Sequence, residues 1–275
     1  MMQIPEQPSR LRMKPLAKLA NSPKWQLETL RALNEPLFLW FTHGQGRITI
    51  AGSARGFHPH NAIFIPAGVM FNFQAMTRVQ GMAIYFGHKH GLDLPDRPLH
   101  LRLREGGHQS EVGQIIDAIH RELDGGRPLA ERAALFQAGL LSVWLDRHRA
   151  EQAKDTSQAG PRNANERLTA RYTALLEREF GSALNISDYA TALGVTPTHL
   201  TRACRASCGR TALALLQDRR LYEARRMLSE TTVPVQDIAR GLGFSTAGYF
   251  ARAFAQQTGQ PPTAWRKAHS GITRH

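Results

Sequence analysis

The sequence predicts an α+β protein in two parts, a small barrel or sandwich of β-strands with helices beside it and then an all-α part. Three observations predict this fold. Short apolar runs separated by glycine and proline fill residues 37–86, which is typical of strands. After Gly107 the apolar residues adopt a helical spacing instead. Near the C-terminus, one spacing of alanine, glycine and apolar residues occurs twice, as expected for two helix-turn-helix motifs.

The predicted strands are bounded by turn residues. Residues 37–41 are all apolar, and Gly44-Gln45-Gly46 follows as a turn before the alternating segment 47–50. Residues 62–65 form a short buried strand that Pro66-Ala67-Gly68 ends. Residues 1–35, which precede these strands, predict an irregular basic arm that ends in a short helix near 25–33.

Two helices are predicted after the strands. The first carries one apolar stripe, formed by Val112, Ile115, Ile116, Ile119 and Leu123. The second runs from about Pro128 to Arg149 and is apolar on more than one side. We expect a second subunit to cover the side that the strands leave exposed.

The repeated spacing predicts the two helix-turn-helix motifs at about 186–208 and 235–258. Each copy has an alanine four residues before a glycine, which are Ala190 with Gly194 and Ala239 with Gly243. The alanine lets two helices approach closely and the glycine forms the turn. Ser187 and Ser245 are the predicted caps of one helix in each copy. The polar segment 151–164 predicts a linker before the first motif, and a long helix from about Thr211 to Leu228 is predicted between the two motifs.

The charge and the cysteines narrow the class of protein. The formal net charge is +13, from 35 Lys and Arg against 22 Asp and Glu, which favours an anionic partner. Cys204 and Cys208 lie four residues apart on one predicted helix, so they indicate core packing, with a redox switch as the alternative. The sequence shows neither a signal peptide nor an apolar run of about 18 residues, which predicts a cytoplasmic protein without a membrane partner.

The C-terminal region resembles the AraC/XylS family of bacterial transcription regulators over about 165–268. The residues that carry the resemblance are Ala190–Gly194, Thr196-Pro197, Leu200, Arg202, Arg220-Leu221, Ala224, Leu228, Ile238-Ala239, Gly243-Phe244-Ser245, Tyr249-Phe250, Arg252, Phe254, Gly259, Pro262 and Trp265-Arg266. The strand region is similar to the cupin-like half of that family through Gly44-x-Gly46, the strand at 62–65 and Pro66-x-Gly68.

The resemblance implies a division into four segments. Residues 1–35 would be a basic arm, and 36–150 a cupin-like β-barrel with dimerisation helices that binds an effector. Residues 151–164 would be the linker. Residues 165–269 would be an AraC-type DNA-binding domain with two helix-turn-helix motifs joined by a long helix.

The candidate DNA contacts follow from the residues that each second helix must bury. If Leu200, Cys204, Phe250 and Phe254 face the core, the outward positions are Thr198, His199, Thr201, Arg202, Arg205, Ser245, Thr246, Tyr249 and Arg252. His199 and Tyr249 are alternatively packing residues, and Arg252 an ion-pair partner. Cys204 stands where the family usually has a large aromatic residue. Ala247 and Gly248 stand where polar residues often contact bases, so the second motif is expected to hold phosphates mainly.

The resemblance implies an effector-responsive activator that binds double-stranded promoter DNA as a homodimer and contacts RNA polymerase, in the cytoplasm or on the nucleoid. One alternative is a ligand-independent regulator or repressor whose barrel serves only for dimerisation. A second alternative is a cupin-type enzyme fused to a DNA-binding tether, although no catalytic residue, cofactor or metal ligand is predicted.

Two other groups of residues have both a functional and a structural interpretation. Large apolar residues of the strand region would line an effector pocket or fill a packed core, and they are Trp40, Met70, Phe71, Phe73, Met82 and Tyr85. The histidine pairs His58-x-His60 and His88-Lys89-His90 resemble metal-binding spacings. After the first pair Phe64 stands where an acidic ligand is expected, and the second pair follows a predicted strand and lies next to Gly91. We therefore expect both pairs to lie in turns.

Overall fold

A computed structural model describes residues 10–88, 91–154 and 163–269 of the chain. The described residues divide into two compact units. The first unit lies within 1–23, 32–50 and 54–162, and the second within 24–31, 51–53 and 163–275.

Two β-sheets form the centre of the first unit. Their strands are β1 (Arg12–Pro15), β2 (Leu37–His43), β3 (Gly46–Ile50), β4 (Ser53–Phe57), β5 (Asn61–Ile65), β6 (Phe71–Ala75), β7 (Gln80–Tyr85) and β8 (Leu99–Arg102). One sheet has the order β1-β7-β2-β5-β8 and the other has the order β4-β3-β6. Among the described residues the hydrogen-bonded strands form two separate sheets, so the predicted barrel is not closed.

Alternation along the strands separates the two faces of the larger sheet. Phe38 pairs with Phe64, and Trp40 pairs with Ala62 and Met82. These side chains belong to one core that also contains Val112 and Trp144 from the following helices. The opposite face carries Phe41, whose ring stacks on Phe57 and Phe73 of the smaller sheet, with centroids 4.3 and 5.9 Å away. The larger sheet is therefore buried on both faces, which explains its nearly continuous apolar strands.

Two helices cover the first of these faces. Helix α3 (Gly106–Asp124) buries Val112, Ile116 and Ile119, three members of the predicted stripe. Helix α4 (Ala130–Lys154) begins two residues later than predicted, because Leu129 adopts a positive φ of 63° that no α-helix accommodates. Pro128 consequently lies before the helix and not in its first turn.

The N-terminal segment differs from the irregular arm that the sequence predicts. β1 pairs antiparallel with β7, and it is followed by helices α1 (Leu16–Ala20) and α2 (Lys24–Glu28). Arg12 forms an ion pair with the buried carboxylate of Glu35, which also accepts a 3.0 Å hydrogen bond from the backbone N–H of Gly87. These partners are distant in sequence, so the local pattern of residues 10–20 did not reveal them.

Over residues 163–269, the second unit is helical apart from its turns and loops. Its main helices are α5 (Ala164–Glu179), α6 (Ile186–Ala192), α7 (Pro197–Cys208), α8 (Ala212–Glu230), α9 (Val235–Gly241), α10 (Ala247–Thr258) and α11 (Pro262–His269). Helices α4 and α5 extend into both ends of the predicted linker at 151–164, while 155–162 lie outside the described residues. Over the described parts of the chain, no helix is both long enough and apolar enough to cross a membrane.

Candidate nucleic-acid interface

Side-chain caps fix where the helices of each motif begin. Asn185 caps α6, where its Oδ1 accepts from the N–H groups of Ser187 and Asp188 at 2.8 and 3.2 Å. The Asp188 carboxylate completes a capping box by accepting from the N–H of Asn185 at 2.8 Å. The prediction that Ser187 caps this helix is wrong. Asn185 occupies the cap position instead, and its side-chain oxygen accepts from the first N–H groups of the helix.

Threonines cap the second helix of both motifs. The Oγ1 of Thr196 accepts from the N–H of His199 at 3.2 Å at the start of α7, where Pro197 occupies the first helical position. The Oγ1 of Thr246 accepts from the N–H of Tyr249 at 3.1 Å at the start of α10. The prediction that Ser245 caps this helix is therefore wrong. Thr246, which is also a candidate DNA contact, is the cap.

Helix α7 presents a polar face opposite its buried one. Leu200, Ala203 and Cys204 are buried. Burial raises the pKa of the Cys204 thiol to about 12, so the neutral thiol packs as an apolar group and is a poor nucleophile. The candidate contacts on this helix are exposed, except for the half-buried Thr201, and they are Thr198, His199, Thr201, Arg202 and Arg205.

Helix α10 has the same division, with Phe250 and Phe254 buried. Ser245, Thr246 and Arg252 are exposed, and Tyr249 is 48% exposed. Tyr249 is thus not a core residue. Among the residues the structure describes, Arg252 has no carboxylate within ion-pair distance, which removes the alternative that it is a structural ion-pair partner. The nine candidate contacts lie on the exposed sides of α7 and α10 and of the turn before α10.

Helix α8, with 19 residues, connects the two motifs and spans about 28 Å. Arg219 lies at its centre and forms a bidentate pair with Glu177 of α5, at 2.6 and 2.9 Å, and a 3.0 Å bond with Glu223. Burial alone would lower the pKa of Arg219, but the hydrogen bonds and charges of Glu177 and Glu223 outweigh burial and raise it. The guanidinium therefore stays charged inside the unit.

Arg220 also binds within the unit. Its Nε donates to the carbonyl of Phe180 at 2.9 Å, and its Nη2 donates to the carbonyls of Ser182 and Leu184 at 2.7 and 3.2 Å. These bonds attach the loop between α5 and α6 to α8. Sequence reasoning missed this role for Arg219 and Arg220, and it treated the arginine content as evidence for an anionic partner. The sequence did contain one signal for an internal role, since Arg219 and Glu223 are four residues apart on a predicted helix and can form an ion pair.

Among the described residues, the six predicted pocket residues are distributed over both faces of the larger sheet and the start of β6. Trp40 and Met82 face the helices α3 and α4. Phe73 belongs to the ring stack on the opposite face, and the Tyr85 ring lies 4.4 Å from the guanidinium carbon of Arg12. Met70 and Phe71 are buried at the start of β6. This distribution favours the packed-core interpretation, and an effector pocket at these residues stays a prediction.

The predicted histidine pairs lie at turns as far as they are described. The backbone N–H of His60 donates to the carbonyl of Phe41 at 2.7 Å, and the N–H of His58 donates to the side chain of Asn61 at 3.3 Å. The Nδ1 of His88 lies 2.7 Å from the carbonyl of Asn34. Lys89 and His90 lie outside the described residues.

The sequence is similar to a family of DNA-binding domains and to known transcription regulators. Residues 189–268, which extend from within α6 into α11, match the family described as a helix-turn-helix domain. The transcriptional activator RhaR of Salmonella dublin is 27% identical over 167 residues, which are 61% of this chain and 57% of RhaR. RhaR of Salmonella schwarzengrund is 28% identical over 168 residues. The matched region is thus little more than half the length of these curated relatives, and they are regulators and not enzymes.

Solved structures that the chain matches include an apo form of ToxT from Vibrio cholerae, with 10% identity, a TM-score of 0.46, and coverage of 96% of this chain and 100% of ToxT. The C-terminal domain of AraT from Geobacillus stearothermophilus has 24% identity and a TM-score of 0.38, over 41% of this chain and 94% of that domain. By its helix-turn-helix domain and its relatives, the chain is similar to transcription regulators of the AraC/XylS family.

Proposed function

We propose that this protein is a sequence-specific regulator that binds promoter DNA through α7 and α10 of each monomer. The observation that carries the proposal is the matched exposure of polar side chains on the second helix of both motifs, while the apolar side chains of both helices are buried. A recognition helix needs this division because its exposed residues must reach the base edges in the major groove.

The two recognition helices are expected to contribute differently. Helix α7 carries Arg202 and Arg205, whose planar guanidinium groups can bond a guanine at two atoms, with Thr198 nearby for a thymine methyl group. Helix α10 begins with Ala247 and Gly248, which offer no side-chain hydrogen bond. We propose that α7 sets most of the sequence preference and that α10 with Arg252 mainly holds the phosphate backbone.

We propose further that the protein acts as an activator, as its relative RhaR is a transcriptional activator, and that it contacts RNA polymerase. We also propose that it works as a homodimer through α3 and α4. Support for the dimer comes from the outer face of α4, where Phe136, Leu140 and Val143 are exposed although they are apolar.

Response to a small-molecule effector is proposed for the first unit, without assigned pocket residues. A true effector must raise the melting temperature, since it binds the folded state. A ligand-independent regulator or repressor would bind its DNA sites equally well with and without candidate metabolites.

The experiment that tests the DNA-binding proposal is selection of genomic fragments by the purified full-length protein, followed by footprinting of the selected fragments. We expect paired sites, each spanning two adjacent major grooves. Binding that depends on salt alone and ignores sequence, with and without added metabolites, would contradict the proposal.

A further inference from the structure

We propose that the first unit holds a divalent transition-metal ion, Zn²⁺ by its ligand chemistry, between His108 of α3 and His148 and Glu151 of α4. One ligand atom from each of these three residues lies within 4.8 Å of the other two. This site goes beyond DNA binding and does not depend on it.

Helix geometry places the three side chains on facing surfaces. His148 and Glu151 are three residues apart on α4, so they share one face of that helix. His108 lies in the first turn of α3, and its ring meets the His148 ring edge-on, with centroids 4.7 Å apart and planes at 87°. The site therefore joins the beginning of α3 to the last turns of α4.

His148 shows the orientation of a metal ligand. Its side chain is buried, with only 8% of the residue exposed, and its Nδ1 lies 2.9 Å from the carbonyl oxygen of Trp144. Because Nδ1–H donates to that carbonyl, the lone pair of the neutral ring is on Nε2. Nε2 is buried and has no hydrogen-bond partner among the described residues. A buried acceptor without a partner costs free energy, and a bound cation would satisfy it.

The Trp144 contact corresponds to the outer shell of many metal sites. A backbone carbonyl that accepts from one imidazole nitrogen fixes the ring orientation and the tautomer, and it leaves the other nitrogen to bind the ion. The Trp144 ring packs on the His148 ring with centroids 4.1 Å apart, which further limits its rotation. His148 is therefore held in the orientation that metal binding needs.

The donor set identifies the class of ion. Two imidazoles and one carboxylate bind Zn²⁺ in many proteins and leave a fourth position for water. Glu105 adds negative charge, since its carboxylate lies 3.9 Å from His108 Nε2. In a tetrahedral zinc site the ligand atoms are about 3.3 Å apart, so they must approach by up to about 1.5 Å. Glu151 is exposed and His108 partly exposed, and rotation of these two side chains can supply that movement.

The test is a titration of tag-free, chelator-treated, full-length protein with Co²⁺ and then Zn²⁺. We expect one equivalent to bind, visible absorption bands of low-symmetry Co²⁺ that Zn²⁺ removes, and a higher melting temperature with Zn²⁺. His108→Ala and Glu151→Gln each remove one ligand at a side chain that is not fully buried, so both variants should fold. Each should weaken Zn²⁺ binding by about tenfold or more.

His120→Ala is the matched control, because His120 is an exposed histidine on the same helix, α3, outside the proposed ligand set. It should bind Zn²⁺ as the unmodified protein does. The proposal is overturned if the unmodified protein binds no equivalent of either ion. It is also overturned if His108→Ala and Glu151→Gln bind as tightly as His120→Ala, since the ion would then occupy other residues.

Discussion

Arginine residues of the second unit have two opposite roles that composition alone cannot distinguish. Arg202, Arg205 and Arg252 are exposed on or beside the candidate DNA-binding face. Arg219 and Arg225 are buried, and Arg219 bonds to two carboxylates of its own unit. The number of arginines therefore overstates the cationic groups that an external anion meets, because Arg219 is paired with carboxylates inside the fold.

Arg202→Ala tests the role of α7 at the scale of one side chain. If Arg202 contacts a guanine, we expect specific binding to weaken by about 1–3 kcal/mol and the preference at that base pair to relax. The measurement is a titration of the footprinted site and of single-base variants at fixed salt. Arg171→Ala, at an exposed arginine of α5, is the control and should change little. An equal loss on all sequences would make Arg202 a phosphate contact.

The two turn glycines offer a matched pair of substitutions. Gly194 and Gly243 both have a φ of 71°, but a Cβ on Gly194 would meet nothing within 4 Å, while one on Gly243 would lie 2.0 Å from the Ser182 carbonyl oxygen. Gly194→Ala should cost about 1–2 kcal/mol from the left-handed backbone alone. Gly243→Ala should cost clearly more, because the loop that Arg220 holds must also move.

Thermal unfolding of the two glycine variants measures this difference. A lower melting temperature for Gly243→Ala than for Gly194→Ala is the expected order. Equal melting temperatures would show that the loop at Ser182 moves away at no cost.

At the scale of elements, the charged network of α8 is expected to give the second unit a pH-dependent stability. Burial alone would raise the pKa of Glu223, but hydrogen bonds and charges from Arg226 and Arg219 outweigh it and lower the pKa below its usual 4.5. A lowered pKa means that the ionised carboxylate stabilises the fold. That stabilisation is complete above about pH 4.5 and is lost as the pH falls through the lowered folded pKa.

Glu223→Gln should therefore destabilise the unit by about 3 kcal/mol at neutral pH, because it leaves Arg219 and Arg226 with fewer partners. Hydrogen exchange of α5 and α8 amides at pH 7 measures the loss, and urea unfolding near pH 3 should show a smaller difference. Glu230→Gln is the control, because burial raises the pKa of Glu230 and its charge is less favourable. A similar loss in both variants would contradict the assigned role of Glu223.

Elements with a strong local signal were predictable and those held by distant partners were not. The stripe of α3 and the Thr196-Pro197 start of α7 are local patterns, and the structure has both. β1 was missed because its only signal is pairing with β7, far along the chain. Ser187 and Ser245 were predicted as caps because serine is a favoured cap, but Asn185 and Thr246 lie at the geometric helix starts.

At the scale of the whole molecule, the exposed apolar stripe of α4 bears on assembly. Phe136 is 66% exposed and Leu140 55%, and these residues recur at helical spacing. If a second copy covers them, Leu140→Arg should convert the dimer to a monomer. Because Leu140 is exposed within one chain, the substitution itself should hardly destabilise the folded monomer. Sedimentation equilibrium measures the change.

Glu131→Arg is the control for the dimer prediction. Glu131 lies on another side of α4, and its ion pair with Arg10 is exposed at both ends, so its loss should cost little. Dimerisation should persist in this variant. A protein that is monomeric before any substitution, or a Leu140→Arg variant that stays dimeric, would contradict the proposed interface.

The sequence by itself predicted the α+β class, the repeated motif and the resemblance to a family of regulators, because helix periodicity, proline starts and turn glycines act within a few residues of one another. It also identified outward positions of α7 and α10, since the buried residues of a helix define its exposed ones. Only the tertiary structure decided the opening of the strand region into two sheets, the internal use of Arg219 and Arg220, and the meeting of His108 with His148 and Glu151. These features depend on pairs of residues that are far apart in the chain, and no local pattern specifies which of them come together.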